Sequence, residues 1–295
     1  MTPILYEMPG QEPLARSLSK LLGWQQGQAI IRQFPDGETY IRILDDVRDK
    51  KAVILSQLHH PDETTLPMLL MADTLRDLGA EKVGLIAPYL AYMRQDKRFN
   101  EGEGVSSHYY SRLISAHLDW LLTVDPHLHR IHDLSEVYSI PSLSLTAVAP
   151  MAGWIRENVD RPLIIGPDSE SEQWAARVAE LAGAPCEVLT KQRLGDRDVK
   201  ISLPHVDRYL DYTPVLVDDM ISTGRTMIQA AGHLTSAGMR APICVVVHGL
   251  FSPGARQELQ DSQLTVVTCN SIPDASNKID LAPLLGEGLA CLSGI

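Results

Sequence analysis

Positive charge is scarce in this chain. Its 295 residues carry 26 Lys and Arg against 37 Asp and Glu, a formal net charge of −11. Such a chain repels a phosphodiester backbone at long range, so nucleic acid is not an expected partner. A phosphorylated small substrate would have to be held by local cations, backbone amides or a metal concentrated in a few loops. Cysteine is sparse too. Cys186, Cys244, Cys269 and Cys291 lie far apart and form no Cys-x-x-Cys pair. That pattern suggests neither a zinc site nor a redox motif, and reads as buried reduced thiols. Long apolar runs are missing. The stretch around residues 66–72 is far too short to span a bilayer, so no membrane is expected. Residues 1–10 have neither the basic start nor the apolar stretch of a secretory leader, which leaves the cytoplasm as the expected compartment. Low-complexity segments, coiled coils and short repeats are absent.

What is present is ordinary in bulk, 44% hydrophobic and 21% charged, and informative in its order. Short runs rich in Val, Ile and Leu occur at residues 52–55, 83–87, 121–124, 163–165, 215–217, 243–247 and 264–267. Between them, residues 63–78, 106–118, 169–181, 224–236 and 253–260 read as helices. Continuous apolar strands separated by helices predict an α/β fold with parallel sheets covered on both faces. Residues 134–149 are rich in Ser and Pro with no strong period, which places a domain boundary near residue 145. The expected organisation is two related lobes, 1–145 and 146–295. A short helix at 281–289 is expected to fold back on the first lobe.

In open α/β sheets, ligands sit outside the C-terminal ends of the strands. Three predicted strands end in polar clusters: Asp125-Pro126-His127, Pro167-Asp168 and Asp218-Asp219. The third is the most specific. Val215-Leu216-Val217 runs into Asp218-Asp219-Met220-Ile221, then Ser222-Thr223-Gly224-Arg225-Thr226 and a helix. Backbone amides and hydroxyls at a helix N-terminus suit a phosphate dianion. Two carboxylates suit the vicinal hydroxyls of a sugar. Together they describe a pentose 5-phosphate site, and the Walker A spacing is absent.

This stretch resembles the phosphoribosyl-diphosphate loop of the phosphoribosyltransferase fold. Three further segments are similar to those of ribose-phosphate diphosphokinases: Phe34-Pro35-Asp36-Gly37-Glu38, Tyr92-Met93-Arg94-Gln95-Asp96-Lys97-Arg98-Phe99, and Lys191-Gln192-Arg193. Their compact forms look closest to the archaeal-type branch. The resemblance implies two phosphoribosyltransferase-like lobes, each a mainly parallel sheet flanked by helices. It implies transfer of diphosphate from ATP to the C1 hydroxyl of ribose 5-phosphate, giving AMP and 5-phospho-ribose 1-diphosphate for nucleotide biosynthesis.

Roles follow from the same resemblance. Phe34, Asp36, Gly37 and Glu38 contribute to an ATP site across a subunit interface, which implies a homo-oligomer, a dimer or larger. Arg94, Gln95 and Asp96 also touch ATP. Lys191 and Arg193 open a catalytic loop, with residues 194–200 reading as polar and mobile. His127 and Asp168 bind Mg2+, the first with ATP and the second near the sugar. Asp218, Asp219, Ser222, Thr223, Gly224, Arg225 and Thr226 hold ribose 5-phosphate. The residues alone allow Phe34 either to stack on adenine or to lie in the core. His129 and His132 read as structural.

The sequence departs from the family pattern at Ser222, where Asp is common, at Arg225, where Gly is usual, and at Ser169-Glu170, where a larger polar residue and then Gly are more frequent. These departures keep two other readings in view. One is a catalytically silent nucleotide-binding paralogue; the other is a phosphoribosyltransferase that consumes the diphosphate product.

Overall fold

Runs of three to five residues with no polar face must be covered on both sides, and the fold does this twice. The computed structural model describes residues 2–128, 130–168, 171–193, 199–202 and 206–292; the side chains of 190–193, 199–202 and 206 lie outside that description. The chain divides into one unit of Met1–Thr146, Ser271–Pro273 and Leu281–Ile295, and a second of Ala147–Asn270 and Asp274–Asp280.

In the first unit the order is β1 (Ile4–Glu7), α1 (Glu12–Leu22), β2 (Gln25–Gln26), β3 (Ala29–Gln33), β4 (Thr39–Ile43), β5 (Lys51–Leu55), α2 (Pro61–Asp77), β6 (Lys82–Ala87), α3 (Ser106–His117), β7 (Trp120–Val124) and β8 (Ser142–Leu145). The second unit follows with α4 (Val148–Asn158), β9 (Pro162–Gly166), α5 (Glu172–Ala182), β10 (Cys186–Val188), β11 (Thr190–Arg193), β12 (Val199–Ser202), β13 (Thr213–Ile221), α6 (Arg225–Ser236), β14 (Ile243–Gly249), α7 (Ala255–Asp261), β15 (Thr265–Cys269) and β16 (Asn277–Ile279). The last helix, α8 (Ala282–Cys291), returns to the first unit.

Each unit holds a six-stranded sheet, ordered β2-β1-β5-β6-β7-β8 and β10-β9-β13-β14-β15-β16. Every pair in both sheets is parallel. Each unit also carries one antiparallel hairpin, β3–β4 or β11–β12, placed between its second and third sheet strands. The two units therefore share one topology, with strand order reversing between the first and third strands.

Alternation along the strands explains the two-sided cover. Ile4, Tyr6, Ile54, Leu85 and Leu121 cluster with Met68, Met71 and Leu75 of α2 and Ile114 of α3. The intervening Leu5, Val53, Ile86 and Leu122 are buried as completely on the opposite face. There α1 and α8 pack together, and α8 meets β7 and β8. A Cβ on Gly288 would lie 2.6 Å from Leu145, so this close approach requires glycine. In the second unit, Leu163, Ile165, Leu216 and Val246 pack with Met227, Ala230 and Leu234 of α6.

Several sequence expectations need correction. Residues 134–149 are not featureless: they hold a 3-10 turn at Leu134–Glu136, β8 and the start of α4. Ser142-Leu143-Ser144-Leu145 alternates too briefly to register as a strand, yet it pairs with β7 throughout. Val199 and Lys200, assigned to a polar loop, belong to β12, while 194–198 lie outside the described residues. The strand through Val215 runs on to Ile221, and the helix expected from 169 starts at Glu172. Of the four thiols, Cys244 and Cys269 are buried, Cys186 is half-buried and Cys291 is exposed.

Candidate active site

The acids at the end of β13 owe their placement to an overhang. Pairing with β9 stops at Leu216↔Ile165, whereas pairing with β14 continues through Asp218↔Val246 to Ile221↔Gly249. Asp218 and Asp219 therefore extend beyond β9 on a strand held from one side only. Successive strand residues face opposite ways, so the two carboxylates flank the strand. The amide of Asp219 donates to Asp218 Oδ1 at 3.0 Å.

Asp168 comes from the turn after β9. Its Oδ1 accepts from the Ser171 amide at 3.2 Å, and the Ser171 hydroxyl donates to its carbonyl at 2.7 Å. This turn brings a third negative charge to the same place. Asp218 registers the crowding: burial first, then the charge of Asp219 and that of Asp168, push its pKa up to about 8. The crowding that raises the proton affinity of Asp218 is of the kind that a cation or a polyol would relieve.

Beyond the acids, Ser222, Thr223 and Gly224 turn the chain into α6. Gly224 has φ +73°, a conformation that favours glycine, and a Cβ there would lie 3.0 Å from Leu259. The first intrahelical bond of α6 is from the Ile228 amide to the Gly224 carbonyl. The amides of Arg225, Thr226 and Met227 precede it and emerge at the helix end, where an anion is favoured. The Arg225 amide lies 3.4 Å from Thr223 Oγ1. The Arg225 side chain is 78% exposed and sits 4.0 Å from Glu258, so its bulk is directed away from the turn. Ser169, Glu170 and His129 lie outside the described residues.

Lys191 and Arg193 stand on β11, opposite Ile201 and Val199 of β12. They thus lie on a two-stranded ribbon, with Arg193 the last described residue before 194–198, which lie outside the described residues.

In the first unit, Arg94, Gln95 and Asp96 lie in the loop after β6 and His127 in the loop after β7. Two of these loops hold non-glycine residues in the left-handed region, Tyr92 at φ +60° and Asp125 at φ +36°. Such strain costs about 1–3 kcal/mol each and concentrates at functional turns. The two loops are tied together. Asp96, with its side chain 2% exposed, accepts from Arg130 Nη1 at 3.0 Å and from the Arg130 amide at 3.2 Å. Arg94 is exposed, and Gln95 and His127 are half-buried. The Arg130–Asp96 pair is a contact that sequence reasoning missed, because the partners lie 34 positions apart. We expect Arg130→Ala to leave the buried Asp96 carboxylate with a lone amide, lowering stability by about 1–3 kcal/mol. It should also raise KM for ATP, which steady-state kinetics beside a melting curve would test. Unchanged values in both would mean that the pair does not brace the His127 loop.

Phe34, Asp36, Gly37 and Glu38 form the tip of the β3–β4 hairpin and are all exposed. The Phe34 amide donates to the Glu38 carbonyl at 2.8 Å, closing the tip. Phe34 stacks edge-on with Tyr40 at 5.9 Å, under the guanidinium of Arg32 at 4.9 Å. At 41% exposure it is not a core residue. Among the described residues no three His, Cys, Asp or Glu side chains are grouped as a ready-made metal site. A magnesium ion that keeps several water and substrate ligands does not need one, and among the described residues no helix is long and apolar enough to cross a membrane.

Comparison with known proteins places these features. Residues 4–117 match the family model for the N-terminal domain of ribose phosphate pyrophosphokinase, and residues 134–284 match that for the phosphoribosyl transferase domain. The chain is 35% identical to the ribose-phosphate pyrophosphokinase of Sulfurisphaera tokodaii over 282 residues, covering 92% of this chain and 94% of that one. It is 32% identical to the ribose-phosphate pyrophosphokinase of Methanopyrus kandleri over 284 residues, covering 95% and 96%. Among solved structures, the phosphoribosylpyrophosphate synthetase from Mycobacterium smegmatis superposes with a TM-score of 0.84 at 24% identity, covering 99% of both chains, a likeness of fold.

Proposed function

Since the chain belongs to the ribose phosphate pyrophosphokinase family, we propose that it carries out diphosphoryl transfer from ATP to ribose 5-phosphate through the residues described above. The observation that carries the residue assignment is the gathering of Asp168, Asp218 and Asp219 beside the amide-rich start of α6. The Ser222–Thr226 turn grips the 5-phosphate. Asp218 and Asp219 accept from the ring hydroxyls and hold the C1 hydroxyl in position. That hydroxyl attacks the β-phosphorus of ATP and releases its proton to solvent; the bond from the β-phosphorus to the α–β bridging oxygen breaks, and AMP departs with that oxygen.

Arg94, Gln95 and Asp96 belong to the nucleotide site, with Asp96 acting through its hold on Arg130. Lys191 and Arg193 neutralise the charge that builds on the transferring group. Magnesium, held by His127 on the nucleotide side and by Asp168 on the sugar side with substrate oxygens completing each sphere, would withdraw charge from the phosphates. Catalysis is then chiefly positioning and electrostatics. The cytoplasm fits a reaction that draws on ATP.

The direct experiment mixes protein, ATP, magnesium and ribose 5-phosphate and measures AMP. Release that depends on the sugar phosphate supports the reading. A melting temperature raised by ATP with no AMP formed would favour a nucleotide-binding paralogue instead.

The exposed hairpin tip supports a homo-oligomer in which Asp36, Gly37 and Glu38 reach the ATP site of a neighbouring copy. Mixing then gives a clear outcome. Glu38→Ala and Lys191→Ala proteins, each weak alone, should regain activity once their subunits are allowed to exchange, because some sites then receive an intact tip and an intact ribbon. Additive residual activity at every mixing ratio would place Glu38 at its own subunit's site or at none.

A further inference from the structure

The shared topology of the two units has a consequence at the first unit's strand reversal. There, pairing of β1 with β5 ends at Glu7↔Leu55, and the residues that follow β5 are Ser56 and Gln57. In the second unit β13 likewise runs on past its last pair with β9 at Leu216, through Val217 to Asp218 and Asp219. Gln11 stands immediately before α1, as Ser171 stands before α5. The same region of the fold thus carries acids in one unit and an amide and a hydroxyl in the other.

A cavity of about 310 Å3 opens at this place, lined by Met8, Gln11, Ile31, Ser56, Gln57 and Pro67 among others, all from the first unit. Its size is at the lower end of small-ligand sites. Gln11 is 1% exposed and Ser56 fully buried, yet neither amide atom of Gln11 nor the Ser56 hydroxyl has a hydrogen-bond partner. Buried polar groups are almost always satisfied, and leaving three together without partners is costly. Arg32 and Glu63 also line the cavity and offset each other in charge, so it favours an uncharged ligand over a phosphate.

We propose that this cavity binds the adenine base of a nucleoside, with the Gln11 amide pairing with its amino group and N7. A glutamine side chain offers a donor and an acceptor side by side, which matches the donor and acceptor that adenine presents on that edge. Guanine presents two acceptors there and is matched by half. Ser56 supplies a further hydroxyl, and Met8, Ile31 and Pro67 give apolar contact to the ring faces. The site shares no residue with those assigned to diphosphoryl transfer and would make the first unit a second, separate binding module.

The test is calorimetric titration of adenosine and of guanosine into the full-length protein and into Gln11→Leu and Ser56→Ala. Wild type should bind adenosine roughly tenfold or more tightly than guanosine, and Gln11→Leu should lose a similar factor for adenosine. Ser56→Ala, which removes one oxygen and no packing, should weaken binding in the same direction while remaining folded by circular dichroism. KM for ATP should stay unchanged in both variants. Failure of wild type to bind adenosine, equal binding of adenosine by wild type and variants, or equal binding of guanosine by wild type would each overturn the proposal. So would a parallel rise in KM for ATP, which would assign the adenosine to the reaction site.

Discussion

Lys191→Ala is expected to lower kcat by about a thousandfold while the melting temperature stays within a few degrees of wild type. The size follows from the task assigned to the side chain. Diphosphoryl transfer involves little covalent chemistry for the protein, so a cation at the reacting group carries a large share of the barrier reduction, on the order of 10³-fold or more for such groups. The small change in stability follows from position: Lys191 lies on a two-stranded ribbon outside the six-stranded sheet. Arg193 is two residues along the same strand. Because the two cations would act on one transition state, the double substitution should cost less than the product of the single effects. Rapid-quench measurement of AMP formation with saturating substrates is the appropriate assay. Near-normal turnover in Lys191→Ala would remove the ribbon from the mechanism.

The second large effect is at Asp218, where activity and stability should move in opposite directions. Asp218→Asn should lower kcat/KM for ribose 5-phosphate by about a hundredfold, through loss of charge-assisted bonds to the sugar hydroxyls. The same substitution should stabilise the metal-free, substrate-free protein at pH 8. Burial, followed by the neighbouring acids, raises the folded-state pKa of this carboxyl far above the unfolded value of roughly 3.9. The folded chain therefore retains a proton that the unfolded chain releases. The resulting contribution to stability is complete below about pH 4 and is lost as pH rises through the folded pKa near 8. Wild type should lose melting temperature between pH 5 and 8, roughly a few degrees in all, and the asparagine variant should lose less. Identical pH profiles for the two proteins would show that Asp218 ionises as an ordinary carboxylate.

Much of this arrangement can be read from the chain, and the boundary of what can be read is physical. The run at Val83-Gly84-Leu85-Ile86-Ala87 announces β6 because both its faces are buried, so no polar residue interrupts it. β13 is legible only as far as Val217. Its continuation through Asp218 to Ile221 depends on the length of β14, which offers partners as far as Gly249. α1 carries a usable signal, with Leu14, Ala15 and Leu18 on one buried face and Gly23 closing it in the left-handed region. The motif residues of the sugar site are contiguous, so the sequence exposes them. The Asp96–Arg130 brace and the Gln11–Ser56 pairing around one cavity join residues more than thirty positions apart, and no local pattern encodes them.

The return of α8 to the first unit sets an order of events on the ribosome. β7, β8 and α1 are synthesised early, but the helix that covers them is the last one made, after the whole second unit has emerged. The first unit must therefore wait with Leu122 and Leu145 only partly covered while its neighbour folds within the same nascent chain. A stop codon a little before Ala282 would remove α8, which carries no residue assigned to chemistry, yet it would leave that apolar face open. Such products should be cleared by proteolysis or aggregate, although every residue assigned to the reaction is intact.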